Sequence, residues 1–163
     1  MYYLGIDLGG MSIKAGICDD NGKILFSDTC VTVRDEDGDR ILNDMAKLCL
    51  KVINDAGLTV DDIEYAGIAS PGSADSEKGV IIYAATLPFL NYPIASKLSE
   101  KTGIKKIFID NRIVNTKSYQ ARMQHTFMKC IWDNCNFANS SSCRQQNVSS
   151  KNLEATKLFI FFL

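Results

Sequence analysis

The rhythm of apolar and polar residues changes several times before residue 111, and each rhythm belongs to a different kind of element. Tyr2 to Ile6 and Ile13 to Ile17 are short apolar runs that predict strands, and Asp20-Asn21-Gly22 is a strong hairpin signal before a third strand, Lys23 to Val33. The three strands should form an opening meander. An acidic stretch, Asp35 to Asp39, then offers capping carboxylates to a helix. Its apolar residues Ile41, Leu42, Met45, Leu48, Val52 and Ile53 recur at helical spacing, and Gly57 ends it.

Ile63 to Ala69 is a compact apolar run suited to a central strand, followed by the turn residues Ser70-Pro71-Gly72-Ser73. A short strand is expected at Val80 to Tyr83. Pro93 stands where a helix can begin, Ile94 and Leu98 line one of its faces, and Gly103 closes it. Lys106 to Asp110 reads as a further buried strand. Leaving aside the short strand Val80 to Tyr83, the order β-β-β-α-β-α-β predicts an α/β domain, a mixed sheet with flanking helices and ligand loops at its strand ends. From Arg112 onward no period is sustained apart from an apolar patch at Phe127 to Trp132. The polar stretch Asn134 to Ser150 has the composition of a disordered segment. Residues 1–111 are therefore expected to form the ordered domain and residues 112–163 a disordered tail.

Composition narrows the class without naming it. The chain has 163 residues, 46% of them hydrophobic, enough for one ordinary core but too few for a two-lobed enzyme. A net charge of −1 gives no reason to expect a nucleic acid or an anionic membrane as partner; a small molecule suits it better. Asp7 interrupts the first apolar run, which has no basic flank, and the run Leu158 to Leu163 is far too short to span a bilayer. A cytoplasmic location is expected. Cys18, Cys30 and Cys49 fall in apolar segments, where reduced buried thiols are the usual explanation. Cys130, Cys135 and Cys143 lack the tight pairing of structural zinc sites, so no metal centre is expected.

The segment Leu4 to Lys14, LGIDLGGMSIK, carries the candidate chemistry. Adjacent Gly9 and Gly10 leave backbone N–H groups approachable by an anion, Asp7 could hold a metal-bound phosphate, and Ser12 and Lys14 add a hydroxyl and a cation. A plain hairpin turn also accounts for a Gly-Gly pair. The combination of Asp7, Gly9, Gly10, Ser12 and Lys14 favours a nucleotide phosphate.

With LGGMSIKAGICDDNGKIL, IASPGSADSEKGVIIYA, LPFLNYPIA and FIDN in this order, residues 1 to about 111 resemble the amino-terminal domain of bacterial glucokinases of the ROK family (repressor, open reading frame, kinase). The resemblance implies an actin-like, RNase H-like ATPase fold with ATP and Mg2+ in a cleft, and phosphorylation of a hexose hydroxyl. It implies that Asp7 is the magnesium-associated acid, with Gly9, Gly10, Ser12 and Lys14 completing the first phosphate loop. Ser70, Pro71 and Gly72 correspond to the loop shaping the sugar side, and Asn111 to a sugar-binding Asn that precedes the catalytic Asp. Through the SPGSADSEKG and LPFLNYPIA segments the resemblance favours glucose as the sugar, although fructose and N-acetylmannosamine kinases share the same first lobe.

Two departures bear on activity. Met11 stands where the family has Thr, and a thioether donates no hydrogen bond to a phosphate. Arg112 stands where the family has its general base, and a guanidinium has no lone pair to take a proton, so no catalytic residue is assigned. The family's second lobe, with its further phosphate loop and zinc motif, is not recognisable; the order His125, Cys135, Cys143 lacks the Cys-x-Cys-Gly-x-x-Gly-Cys core. The leading expectation is a truncated hexose-kinase lobe without turnover. The alternatives are a non-catalytic ATP- or sugar-binding regulatory module, and a frameshifted product without ligand function. No counterpart of the DNA-binding extension of ROK regulators is expected before Met1, and the sequence leaves homo-oligomerisation open.

Overall fold

The computed structural model describes residues 1–34 and 37–111. The expected tail, together with Arg112, His125, Cys130, Cys135 and Cys143, lies outside the described residues. Three antiparallel strands open the chain: β1 (Tyr2–Leu8), β2 (Ser12–Asp19) and β3 (Ile24–Val31). At the β2–β3 turn the Asp19 carboxylate accepts from the backbone N–H groups of Asn21 and Lys23, both at 2.9 Å, which fixes the hairpin read from Asp20-Asn21-Gly22. β3 ends two residues sooner than expected. Past Val31 the backbone leaves the sheet, the Thr32 N–H reaching the Met11 carbonyl at 3.0 Å.

Helix α1 (Gly38–Asp55) starts at Asp37, whose side chain accepts from the Asp39 N–H at 2.8 Å. All six apolar residues that predicted the helix are buried, together with Ala46 and Cys49. They meet Leu4, Ile6 and Leu8 of β1 and Ile13, Ala15 and Ile17 of β2, the alternate residues of one sheet face. A fully buried Leu or Ile contributes about 1.5–3 kcal/mol, so this helix–sheet seam holds much of the domain's stability.

After a single 3₁₀ turn at Val60–Asp62, β4 (Ile63–Ser70) joins β1 in parallel, and β8 (Ile107–Asn111), the last strand among the described residues, joins β4 in parallel. The five-stranded order is β3-β2-β1-β4-β8, the mixed sheet expected. Between β4 and β8 lies a small antiparallel sheet that the sequence pattern announced only in part: β5 (Ser73–Asp75), β6 (Val80–Tyr83) and β7 (Leu90–Tyr92). Helix α2 (Ile94–Thr102) follows, burying Ile94 and Leu98 as its spacing predicts.

The small sheet is fastened to the start of α1. A Cβ at Gly38 would come within 2.9 Å of the Phe89 ring, so the ring lies flush on the first helical turn. The Asp39 carboxylate accepts from the Tyr92 hydroxyl and from Lys97 Nζ, the latter at 2.7 Å. These contacts hold the β6–β7 connection, residues 84–89, beside the β1–β2 turn.

On the sheet face opposite the Leu4–Ile6–Leu8 row, register aligns Gly67, Gly5 and Gly16 across three strands. Cys18 is buried there with Tyr3, Ile24 and Tyr65 against it. Cys18 and Cys49 are buried as expected. Cys30 is only half-buried, because the edge strand β3 leaves one side open. No helix among the described residues is long and apolar enough to cross a membrane.

Candidate functional site

The parallel register places the candidate acid. Asp7 is level with Lys14 on one side and Ala69 on the other, and Ala69 is level with Asp110. Residues level across neighbouring strands share a face, so Lys14, Asp7 and Asp110 occupy one face at the carboxyl ends of β1, β4 and β8. At the usual strand spacing the backbones of Asp7 and Asp110 are roughly 10 Å apart. Asp110, which the sequence reading passed over as a site residue, therefore adds a second carboxylate to this end of the sheet. Ligands of open α/β sheets gather at such strand ends.

The β1–β2 turn borders this row. The Gly9 N–H donates to the Ser12 carbonyl at 3.0 Å, which closes the turn and removes that N–H from any anion site. Among the described residues the Gly10 and Met11 N–H groups have no hydrogen-bond partner, so these two can meet an anion. Neither Gly9 nor Gly10 has a positive φ, so the pair is not required by a left-handed backbone. At Gly10 the reason is a close approach: a Cβ there would sit 3.2 Å from Thr86 Oγ1 and 3.6 Å from Arg34 Nη2. Met11 points outward, 77% exposed, and offers the turn no donor.

The turn is braced by residues from the segment after β3. Thr32, buried, donates its hydroxyl to the Gly9 carbonyl at 2.7 Å, and Arg34 donates Nε to the Gly10 carbonyl. Both contacts and the Thr86 neighbour escaped the sequence reading. Their partners lie 23 and 24 residues away for Thr32 and Arg34, beyond the reach of any local pattern. Lys14 and Arg34 are exposed, and among the described residues neither has a carboxylate in ion-pair contact. Two backbone donors, two such cations and the hydroxyls of Ser12 and Thr86 together make an environment suited to a polyphosphate.

The second candidate loop is built differently. Ser70 is fully buried, and its hydroxyl donates to the Pro71 carbonyl at 3.1 Å. Gly72 has φ of +81°, and a Cβ there would lie 2.0 Å from the Tyr83 carbonyl oxygen, so only glycine lets the turn rest on the end of β6. Asn111 ends β8 level with Ser70, which brings its backbone to this turn. The candidate residues thus form two neighbouring groups, Asp7–Lys14 and Ser70–Gly72 with Asn111, joined through the β1–β4–β8 register. Among the described residues no cluster of three or more His, Cys, Asp or Glu side chains could hold a metal ion directly.

The ROK family model matches residues 3–155. Glucokinase from Thermotoga maritima is 32% identical over 109 residues, covering 66% of this chain and 32% of that protein. A xylose repressor from Caldicellulosiruptor bescii is 29% identical over 108 residues, covering 66% of this chain and 27% of that one. The crystal structure of the ROK hexokinase from Thermus thermophilus superimposes with a TM-score of 0.60 at 30% identity, over 69% of this chain and 35% of that chain. The chain thus spans about a third or less of the length of these curated relatives. The superposition identifies the mixed sheet with its helices as the amino-terminal lobe of the actin-like kinase fold.

Proposed function

Because this chain belongs to the ROK family, we propose that residues 1–111 are the nucleotide- and sugar-facing lobe of an ATP-dependent hexose kinase, glucokinase-like in its ancestral reaction, and that this chain binds without turning over. The observation that carries the reading is the β1–β2 turn. It presents the Gly10 and Met11 N–H groups beside Lys14, Arg34 and Thr86, next to the Asp7 carboxylate at the sheet end. Those donors fit the phosphates of ATP. Asp7, and Asp110 on the same face, fit the water shell of the Mg2+ that accompanies ATP, whose chemistry would be to neutralise the transferring phosphoryl group. The Ser70–Gly72 turn and Asn111 shape the hexose side, the turn through its fixed backbone because the Ser70 hydroxyl is already engaged.

Turnover fails in this reading at Arg112. That residue matches the position of the family's proton-accepting Asp, and a guanidinium stays protonated and offers no lone pair. General-base catalysis is worth about 10²–10⁴-fold, enough to take a kinase below routine detection.

A coupled assay with ATP and glucose, fructose or N-acetylmannosamine should give no rate above background, while calorimetry detects ATP binding. Turnover that disappears on Asp7→Ala overturns the inactive reading; absence of any ATP binding overturns the nucleotide site. The similarity to a xylose repressor favours a second reading, a sugar-responsive binding module. Sugar binding without ATP binding in the same calorimetry would select it.

A further inference from the structure

We propose that Arg34 is a side chain that contacts the nucleotide's phosphates, supplying with Thr86 the donors that Met11 cannot give. The inference rests on the nucleotide reading of the β1–β2 turn and names a residue beyond the loop itself.

Arg34 is exposed and lies just past β3, yet it is held at one point: its Nε donates to the Gly10 carbonyl. A guanidinium fixed through Nε still has both Nη groups, with four N–H donors, in a rigid plane. Nη2 would be 3.6 Å from a Cβ at Gly10, so the unused donors stand directly at the turn, where the Gly10 and Met11 N–H groups lack partners among the described residues. No carboxylate among the described residues forms an ion pair with Arg34. The Thr86 hydroxyl approaches from the β6–β7 connection, 3.2 Å from the same Cβ position.

A phosphate at this turn would thus meet backbone N–H groups, a bidentate guanidinium and a hydroxyl, the combination that suits a dense anion. The contact to Gly10 sets the guanidinium's orientation in advance, so little freedom is lost when the anion arrives. An Arg serving only to latch the turn would need Nε alone and would be indifferent to the charge of the ligand.

The test uses the full chain with ATP and with adenosine in calorimetry, comparing the unmodified protein with Arg34→Gln and Thr86→Val. Gln retains an amide donor for the Gly10 carbonyl but lacks the charge and the fork. Arg34→Gln should weaken ATP binding about ten- to a hundredfold and leave adenosine binding unchanged; Thr86→Val should weaken ATP binding less, about threefold or more. The salt dependence of ATP binding should also become shallower in Arg34→Gln, which a purely structural latch would not produce. ATP affinity within about twofold of the unmodified chain in Arg34→Gln overturns this inference alone. Equal weakening for ATP and adenosine overturns it too, by assigning Arg34 to the latch. Failure of the unmodified chain to bind ATP overturns it together with the nucleotide reading.

Discussion

Two glycine-bearing turns stand side by side at the carboxyl end of the sheet, and they use glycine for opposite purposes. At the β1–β2 turn, Gly10 has an ordinary backbone conformation and space that is merely tight, its nearest neighbour being the tip of the Thr86 side chain. What the missing Cβ leaves there is room beside Thr86 and Arg34, next to backbone N–H groups that have no partner among the described residues. At the Ser70–Gly72 turn the glycine is left-handed and pressed on the Tyr83 backbone, and the one nearby hydroxyl is spent within the turn. What the missing Cβ allows there is the fold. A motif match weights both loops alike, whereas their surroundings separate a turn with open backbone donors from a turn packed tightly on its neighbour.

The largest effect should come from Gly72→Ala. A left-handed backbone costs an L-residue about 1–2 kcal/mol, and a Cβ 2.0 Å from a carbonyl oxygen forces the backbone to move as well. A destabilisation of more than about 3 kcal/mol is expected in denaturant unfolding. A loss under about 1 kcal/mol would mean that the turn does not rest on β6.

Gly10→Val should do the reverse. The new Cβ meets a movable hydroxyl at 3.2 Å, so stability should change by no more than about 1 kcal/mol, while ATP affinity falls at least about tenfold in calorimetry. Unfolding as severe as that of Gly72→Ala would erase the contrast between the turns. Met11→Thr should act in the opposite direction and more weakly, restoring a donor beside the phosphate. A hydrogen bond to a charged group contributes about 1.5–3 kcal/mol, but residue 11 is 77% exposed, so about two- to fivefold tighter ATP binding is expected.

How much of this could be read from residues alone follows the range of the contacts. Helix α1 was legible because six apolar residues within one segment share its buried face. Asp7, Gly9, Gly10, Ser12 and Lys14 could be picked out as a candidate group because they fall within one short segment, residues 7 to 14. Strands β5 and β7 were not, since three residues each, half-exposed or exposed, give no alternation. Thr32, Arg34 and Thr86 were missed because only the tertiary fold brings them to the turn. Asp110 was within the FIDN motif, but its alignment with Asp7 emerges only from the parallel register of β1, β4 and β8.

A smaller prediction concerns the brace that holds the β6–β7 connection near the turn. Lys97 first, and then the Tyr92 hydroxyl, hold the Asp39 carboxyl below its ordinary range. A depressed folded-state pKa stabilises above the unfolded value, about 3.9, and that contribution fades as pH falls through the lower folded value. Asp39→Asn should therefore lower the melting temperature slightly at neutral pH, with the difference from the unmodified chain narrowing below about pH 4. A difference independent of pH would assign the effect to something other than this ion pair.

Amide hydrogen exchange with and without ATP tests the division between the two turns most directly. Addition of ATP should slow exchange at Gly10 and Met11, whose N–H groups face the proposed phosphate, and leave Gly72 and Ser73 unchanged. Protection at Gly72 and Ser73 without protection at Gly10 and Met11, or none at either turn at saturating ATP, would contradict the account.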